Sequence, residues 1–182
     1  MERRLAEAAK AGRVRALIVR AGDFFGPRAR NSWFSQGLVA PGRRPRVIRN
    51  PARRGVGHQW AYLPDVAETM ARLLALPALD DFARFHMDGH WDPDGMQMAG
   101  AIRQALGAPE VPVKPLPWWT MRLGAPFVPV LRELLEMRYL WEQPVRLDNH
   151  QLLAALGEEP STPLDMAVRT TLTAMGCLSP SD

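Results

Sequence analysis

The sequence contains a single cysteine, Cys177, among its 182 residues. A disulfide within the chain is therefore excluded, which favours a reducing compartment such as the cytoplasm. Cys177 lies between Gly176 and Leu178 near the end of the sequence, where we expect the chain to fray. This position does not favour a role as a nucleophile.

Long apolar runs are also missing. No stretch approaches the roughly 18 consecutive apolar residues that a membrane-spanning helix needs, and the first residues lack the apolar core of a signal peptide. Apolar residues nevertheless make up 47% of the chain, which is enough to build the core of a globular domain. The sequence predicts a cytoplasmic protein without a membrane partner.

Lysine is scarce, since only Lys10 and Lys114 occur among 23 basic residues and the rest are arginines. Arginine binds carboxylates and phosphates through paired hydrogen bonds, so an anionic ligand is compatible with this composition, although a coding bias toward arginine is the preferred explanation for most of these residues. No pattern of a nucleic-acid-binding fold accompanies the arginines, which makes nucleic acid an unlikely partner. Six of them crowd one stretch, which is either a solvated loop or an anion site: Arg43, Arg44, Arg46, Arg49, Arg53 and Arg54.

The first third of the chain has an α/β pattern. A helix over Glu2–Ala11 precedes an apolar strand over Val14–Val19, whose near-continuous apolar character is typical of a parallel sheet covered on both faces. A second strand is predicted over Gln59–Leu63, followed by a helix with Asp65 as N-cap and Glu68 completing a capping box. Ligands of such sheets bind beyond the carboxyl ends of the strands.

The remainder predicts more short elements. Phe85–Met87 reads as a strand, and Asp92-Pro93 reads as the N-cap and first position of a helix. Residues 110–117 suit an edge strand because proline interrupts them. The apolar region that opens with Trp118 and Trp119 is expected to pack in the core; a lid over an apolar cleft and a partner-facing patch are the alternatives.

Two segments resemble motifs of a known family. The peptide Arg20-Ala-Gly-Asp-Phe-Phe-Gly-Pro27 follows the first strand, and His58-Gln-Trp-Ala-Tyr-Leu-Pro-Asp-Val-Ala67 contains the second. A third matching segment lies near the end of the chain, where Leu156-Gly157 is followed by Thr162-Pro163-Leu164. In order and spacing these segments resemble the C-terminal portion of the extended short-chain dehydrogenase/reductases, the NAD-dependent epimerase/dehydratase group.

The resemblance implies the C-terminal part of a Rossmann-type parallel sheet plus a small α/β substrate-binding domain. Residues 1–31 and 65–90 would form the sheet part, and residues 32–64 and 91–182 the substrate-binding domain. The family pattern implies two sets of site residues. The set beside an NAD or NADP cofactor is Ala21, Gly22, Asp23 and Phe24. The set around a small-molecule substrate is Asp23, Phe25, Trp33, His58 and Trp60.

Alternatives stay open for individual residues. Asp23 is equally well a turn former that bonds its own backbone, and Trp60 is equally well a packing residue. His58 stands where the family commonly has an arginine that grips a substrate diphosphate. Because histidine is a weaker and pH-dependent anion ligand, a nucleotide-sugar substrate is doubtful.

The chemical machinery of the family is absent from the sequence. No Gly-x-x-Gly-x-x-Gly cradle for a pyrophosphate occurs, and neither Tyr62 nor Tyr139 has a lysine four residues later. The family pattern would place the Tyr-Lys pair shortly before Met1. We therefore expect no catalytic residue in this chain, an inactive isolated protein, and weak or absent binding of NAD or NADP.

Two readings of function remain. The first is the substrate-domain part of an NAD(P)-dependent epimerase, dehydratase or reductase acting on a carbonyl or alcohol. The second is a non-catalytic small-molecule-binding or regulatory module of the same fold. A metal site at His86, Asp88 and His90 is disfavoured because the segment has the composition of a loop. Self-association is expected if the edge of the Val14–Val19 strand is exposed.

Overall fold

The computed structural model of the protein describes residues 1–29 and 31–179. Seven strands are present in this part of the chain: β1 Ala16–Arg20, β2 Asp23–Phe25, β3 Ile48–Asn50, β4 His58–Tyr62, β5 Phe82–His86, β6 His90–Asp92 and β7 Val113–Pro115. The α-helices are α1 Glu2–Lys10, α2 Leu63–Leu74, α3 Gln97–Leu106, α4 Trp118–Gly124, α5 Pro129–Glu136, α6 His150–Leu156 and α7 Leu164–Ala174. A π-helical turn over Phe34–Leu38 and a 3₁₀ turn over Met137–Trp141 complete the described elements.

The strands form three small sheets. β1 pairs with β5, and β3 pairs with β7, both in parallel. β4 lies in the middle of the third sheet, parallel to β2 and antiparallel to β6. Helices alternate with these mostly parallel strands, so the predicted α/β class is confirmed.

The predicted elements around the first strand agree with the structure to within two residues. All five residues of β1 are half-buried, however, whereas the apolar run predicts that both faces of the strand are buried. The reason is that β5 is its only neighbouring strand in the described part of the chain. The apolar side chains of β1 thus have a sheet partner on one side only.

Two predicted helix caps are wrong. Asp65 lies in the first turn of α2, which begins two residues earlier at Leu63. Its carboxylate instead accepts hydrogen bonds from the backbone N–H and the hydroxyl of Thr162, both at 2.7 Å. These donors come from a segment almost one hundred residues away, and no local pattern could reveal them.

Asp92 does not precede its helix directly either, because α3 begins at Gln97. The side chain is buried, and its two oxygens accept the backbone N–H groups of Met96 at 3.0 Å and Met98 at 3.1 Å. The Asp92 carboxylate thus accepts hydrogen bonds from N–H groups that have no partner within the helix, as a cap does. It does so from the end of β6 and not from the position directly before α3.

The expectation that the chain frays at Cys177 is also wrong. The residue is 3% exposed and packs in the main hydrophobic cluster with Leu172 and Leu178, so the chain is ordered by packing here. Burial raises the pKa of the Cys177 thiol. A buried thiol with a raised pKa is a poor nucleophile.

Two hydrophobic clusters hold the elements together. The larger one joins β2, β4, α3 and α7 around Phe25, Trp60, Ile102 and Trp141. The smaller one joins β1, β5, α2 and α6. The proposed division at residues 31, 64 and 90 stays a prediction, and Arg30 and residues 180–182 within its ranges lie outside the described residues.

The apolar region around α4 is only partly packed. Trp118 contacts Trp33, with ring centroids 5.7 Å apart, but Trp119, Leu123 and Phe127 are mostly exposed. The prediction of core packing therefore holds for Trp118 alone among these four. Over the described residues, no helix is both long enough and apolar enough to cross a bilayer.

The open edge of β1 leads to a prediction about self-association. Ala16 donates its N–H to Asp81, and Arg20 accepts the N–H of Met87, so these residues direct backbone groups at β5. Because backbone direction alternates along a strand, Leu17 directs its N–H and C=O at the opposite edge. We expect light scattering to show that the apparent mass of the purified protein rises with concentration.

Replacing Leu17 by proline removes the edge N–H and should reduce this association. The matched control, Leu17→Ala, loses the same side chain but keeps the N–H, and should associate like the unmodified chain. Circular dichroism establishes that both variants are folded. A monomer at every concentration would contradict the prediction.

Candidate functional site

A groove of about 430 Å³ lies beyond the carboxyl end of β1, where the chain crosses from the β1-β5 sheet to the sheet of β2, β4 and β6. This is the place where parallel α/β sheets bind ligands. The side chains that line it come from three regions of the sequence: Val19, Arg20, Ala21, Gly22, Asp23, Phe24, His58, Gln59, Leu140, Val145 and Leu147. The first strand end, strand β4 and the segment before α6 thus meet at one concavity.

Gly22 makes the crossing possible. A Cβ atom at this position would lie 2.2 Å from the backbone oxygen of Gln59 and 2.5 Å from its carbonyl carbon. Only a residue without a Cβ lets the peptide between β1 and β2 approach β4 this closely. The glycine therefore has a packing reason of its own, independent of any cofactor.

Asp23 and His58 form the polar centre of the groove. Nε2 of His58 lies 2.8 Å from Oδ2 of Asp23, and Nδ1 lies 3.3 Å from the carbonyl oxygen of Leu140. The imidazole also stacks on the indole of Trp141, with ring centroids 3.6 Å apart and planes inclined by 13°. Both ring nitrogens and one ring face are thereby occupied within the protein.

Arg20 is tied to the start of the chain. Its Nε and terminal nitrogen donate to the two carboxylate oxygens of Glu2 at 3.1 and 2.6 Å. Arg84 approaches the same carboxylate at 3.5 Å. The bond from Arg20 holds the pKa of Glu2 below its usual value. This pairing anchors α1 against β1 and β5 and occupies the Arg20 guanidinium.

Gln59 fastens the far wall of the groove. Its side-chain oxygen accepts the N–H of Leu147 at 2.9 Å, and its amide nitrogen donates to the carbonyl oxygen of Asp88 at 2.7 Å. Arg146 then binds the Asp88 carboxylate through two hydrogen bonds of 2.9 and 2.8 Å. The segment 145–147 is therefore held against β4 by the Gln59 amide and against the β5–β6 connection by an ion pair.

The structure separates the predicted site residues into two groups. Ala21, Gly22, Asp23, Phe24 and His58 all line the groove. The other predicted substrate residues, Phe25, Trp33 and Trp60, do not line it.

These three aromatic residues pack behind the groove. Phe25 and Trp60 are buried in the larger hydrophobic cluster, and their rings meet edge to face with centroids 6.4 Å apart. Trp33 is half-buried between Trp118 and Trp141. They support the wall that carries His58.

Sequence reasoning missed six lining residues: Val19, Arg20, Gln59, Leu140, Val145 and Leu147. Val19 and Arg20 end β1, directly before the predicted positions. Gln59 lies inside a quoted motif beside His58, so its place next to the groove could have been inferred from the strand alone. The other three lie more than eighty residues away from Asp23 along the chain. Leu140 is bonded to His58 and Leu147 to Gln59, and Val145 lies between them in the same segment.

The arginine-rich stretch lies elsewhere. Arg43, Arg44, Arg46 and Arg49 are exposed and line a second, wider groove of about 790 Å³, together with Glu110. Arg44 donates to the backbone oxygen of Leu106. The two grooves share no lining residue, so these arginines do not replace the family arginine at the position of His58.

The groove contains no acid/base pair of the family type. Tyr62 is buried against Phe25, with ring centroids 5.4 Å apart, and desolvation by burial raises its pKa. A tyrosine general base needs the opposite shift. Lys10 ends α1 and Lys114 lies in β7, so neither lysine is in the same helix as a tyrosine.

The described residues do not fit the pyrophosphate of a dinucleotide. Ala21 to Phe24 line the groove, but residues 1–29 and 31–179 contain no glycine-rich loop at a helix N-terminus that could hold this group. Gly57 packs against Trp91, because a Cβ at this position would lie 2.2 Å from the indole ring. No reaction step through the cofactor follows from these residues.

No cluster of histidine, cysteine and carboxylate side chains suited to a metal ion occurs within residues 1–29 and 31–179. His90 instead packs against Phe25, with ring centroids 5.8 Å apart. Desolvation by burial lowers the pKa of His90, against the opposing charges of Asp65 and Glu159.

Comparison with solved structures supports the fold. RMD from Pseudomonas aeruginosa, complexed with NADPH, matches 97% of this chain at 15% identity with a TM-score of 0.62. UDP-glucuronic acid 4-epimerase from Bacillus cereus, with UDP-glucuronic acid and NAD, matches 96% at 10% identity and a TM-score of 0.65. UDP-glucose 4-epimerase from Thermotoga maritima matches 95% at 18% identity and a TM-score of 0.62.

The chain spans about half the length of these structures, with 53%, 49% and 50% of each covered. At these identities the likeness shows the fold, and it confirms the predicted kinship at that level. No family model and no curated protein matches the chain.

Replacing Gly22 by alanine tests the close approach to β4. The added methyl group would meet the Gln59 backbone, so we expect a loss of unfolding free energy of about 1–3 kcal/mol, measured by urea denaturation. Gly100→Ala is the matched control, because a Cβ there meets nothing within 4 Å. That change lies within α3 and should stabilise the protein by about 0.5–1 kcal/mol. Equal stability of the two variants would contradict the account of Gly22.

The buried His90 predicts a pH dependence of stability. Its folded-state pKa lies below the usual 6.5, so the unfolded chain takes up the proton first as the pH falls. The unfolding free energy should therefore be fully present above this value and decrease below it. His90→Gln should flatten the decrease, whereas His150→Gln, at an exposed position, should not. An unchanged slope in His90→Gln would show that another group controls it.

Proposed function

We propose that this chain is the substrate-domain part of an NAD(P)-dependent epimerase, dehydratase or reductase that acts on a carbonyl or alcohol. The observation that carries the proposal is the groove beyond β1, lined by the five residues Ala21 to Phe24 and His58. They come from the two segments that resemble the family motifs. The fold match over 95–97% of the chain supports the same assignment.

In this proposal the groove receives the reacting end of the substrate next to a nicotinamide ring. Ala21 and Gly22 present backbone to the ring, and Asp23 presents a carboxylate to the substrate. Bound cofactor would supply the hydride chemistry. The residues of this chain position the substrate and exclude water, and we assign a catalytic role to none of them. The single buried cysteine supports placement in a reducing cytoplasm.

A non-catalytic binding or regulatory module is the second candidate. Its support is the chemistry of the two tyrosines: Tyr62 is buried with a raised pKa, and Tyr139 is exposed in the 3₁₀ turn. Neither has a lysine partner in the sequence. The reading frame upstream of Met1 separates the candidates. A glycine-rich strand-turn-helix and a Tyr-x-x-x-Lys in frame favour the enzyme part, and a stop codon there favours the module.

Cofactor affinity provides a direct measurement. Because the pyrophosphate cradle is absent, titration calorimetry of NADPH and NADH into the purified chain should give a dissociation constant weaker than about 1 mM. Binding in the micromolar range would refute this part of the proposal. Where a weak signal is seen, Ala21→Trp should abolish it by filling the groove. Ala78→Trp, at an exposed position before β5, should leave it unchanged.

A further inference from the structure

We propose that the groove selects an apolar small molecule bearing a neutral hydroxyl or a cationic amino group, and rejects nucleoside-diphosphate and other phosphorylated ligands. This inference rests on the proposed function, because it names the substrate class of the same groove. Three properties of the lining carry it: few polar groups, no basic side chain without a protein partner, and one carboxylate oxygen without a protein hydrogen bond.

The wall of the groove is mainly hydrocarbon. Val19, Ala21 and Phe24 line the side formed by the β1–β2 crossing, and Leu140, Val145 and Leu147 line the other side. The volume of about 430 Å³ falls within the range of about 300–1,000 Å³ that small-molecule sites occupy. An apolar ligand body is therefore favoured by the area it removes from water.

Both basic residues of the lining are occupied. The guanidinium of Arg20 is paired with the Glu2 carboxylate through two hydrogen bonds. The two nitrogens of His58 contact Asp23 and the Leu140 carbonyl, and the ring is covered by Trp141. A phosphate entering the groove would lose its water, would compete with Glu2 for Arg20, and would approach the Asp23 carboxylate, which is unfavourable.

The remaining polar group is an acceptor. Asp23 bonds His58 through Oδ2, while its Oδ1 has no hydrogen bond to any residue in the described part of the chain. The amide of Gln59, the other polar side chain of the lining, is already bonded to Asp88 and Leu147. A ligand polar group that fits is therefore a donor, either a hydroxyl or an ammonium group that also gains from the carboxylate charge.

Three probes that share a phenylethyl group, together with a nucleoside diphosphate, test this. The purified chain is titrated, without cofactor, with 2-phenylethanol, 2-phenylethylamine, 2-phenylethyl phosphate and UDP, and binding is followed by chemical-shift changes in nitrogen-15-labelled protein. We expect the alcohol and the amine to bind, with shifts at residues 19–24 and 145–147. The phosphate ester and UDP should cause no shifts there.

Asp23→Asn tests the acceptor. Loss of the carboxylate charge should weaken binding of the amine by roughly tenfold or more while changing that of the neutral alcohol much less. Asp80→Asn removes the same charge at an exposed position before β5, at the opposite end of the strands, and should leave both affinities unchanged. Circular dichroism checks that each variant is folded.

The outcomes separate this inference from the proposed function. Binding of the phosphate ester or UDP in the groove more tightly than the alcohol would overturn the inference and leave the dehydrogenase kinship intact. Equal loss of amine and alcohol binding in Asp23→Asn would overturn the role of the carboxylate, and absence of binding by both probes would overturn the inference as a whole. Alcohol binding together with an upstream stop codon would leave the inference standing and favour the non-catalytic module.

Discussion

Strand β4 is the element on which the rest of the molecule depends. All five of its residues, His58–Tyr62, are buried, and it lies between β2 and β6 at the centre of the three-stranded sheet. One of its residues, Gln59, receives the close approach of Gly22 at its backbone and holds the segment 145–147 with its side chain. The same strand therefore joins the two sides of the groove.

The Asp23–His58 pair decides the chemistry of this groove. A carboxylate and an imidazole could each bind a substrate, but at 2.8 Å they satisfy one another first. Stacking on Trp141 and the bond to Leu140 complete the environment of the ring. The two polar groups at the centre of the groove therefore bond each other, and the rest of the lining is mainly apolar.

The closing segment of the chain is pinned to the sheet by polar contacts at two places. Glu159 accepts the backbone N–H groups of Asp88 and Gly89 at 3.0 and 2.7 Å, and also the Asn149 amide at 2.8 Å. Thr162 binds the Asp65 carboxylate. These contacts fix where α6 and α7 begin relative to β4, so the far wall of the groove is held by hydrogen bonds that cross most of the sequence.

Local patterns were sufficient for the elements and for one side of the groove. The apolar run before Arg20, the glycine that follows it, and the alternating strand around Trp60 predict β1, the crossing and β4, because hydrophobic period and turn chemistry act between near neighbours. The same reasoning placed Ala21 to Asp23 and His58 together only through the family resemblance. It misjudged Asp65, Asp92 and Cys177, whose surroundings are formed by distant residues.

The sequence by itself determined the α/β class, the order of the elements and the absence of a Tyr-Lys pair. The tertiary structure alone decided which side chains are free to meet a ligand. Arg20, Asp23 and His58 carry charge or can acquire it, but whether that charge is available depends on Glu2, Leu140 and Trp141. The sequence specifies which side chains are present. Their partners depend on how segments that are distant in the sequence pack against each other.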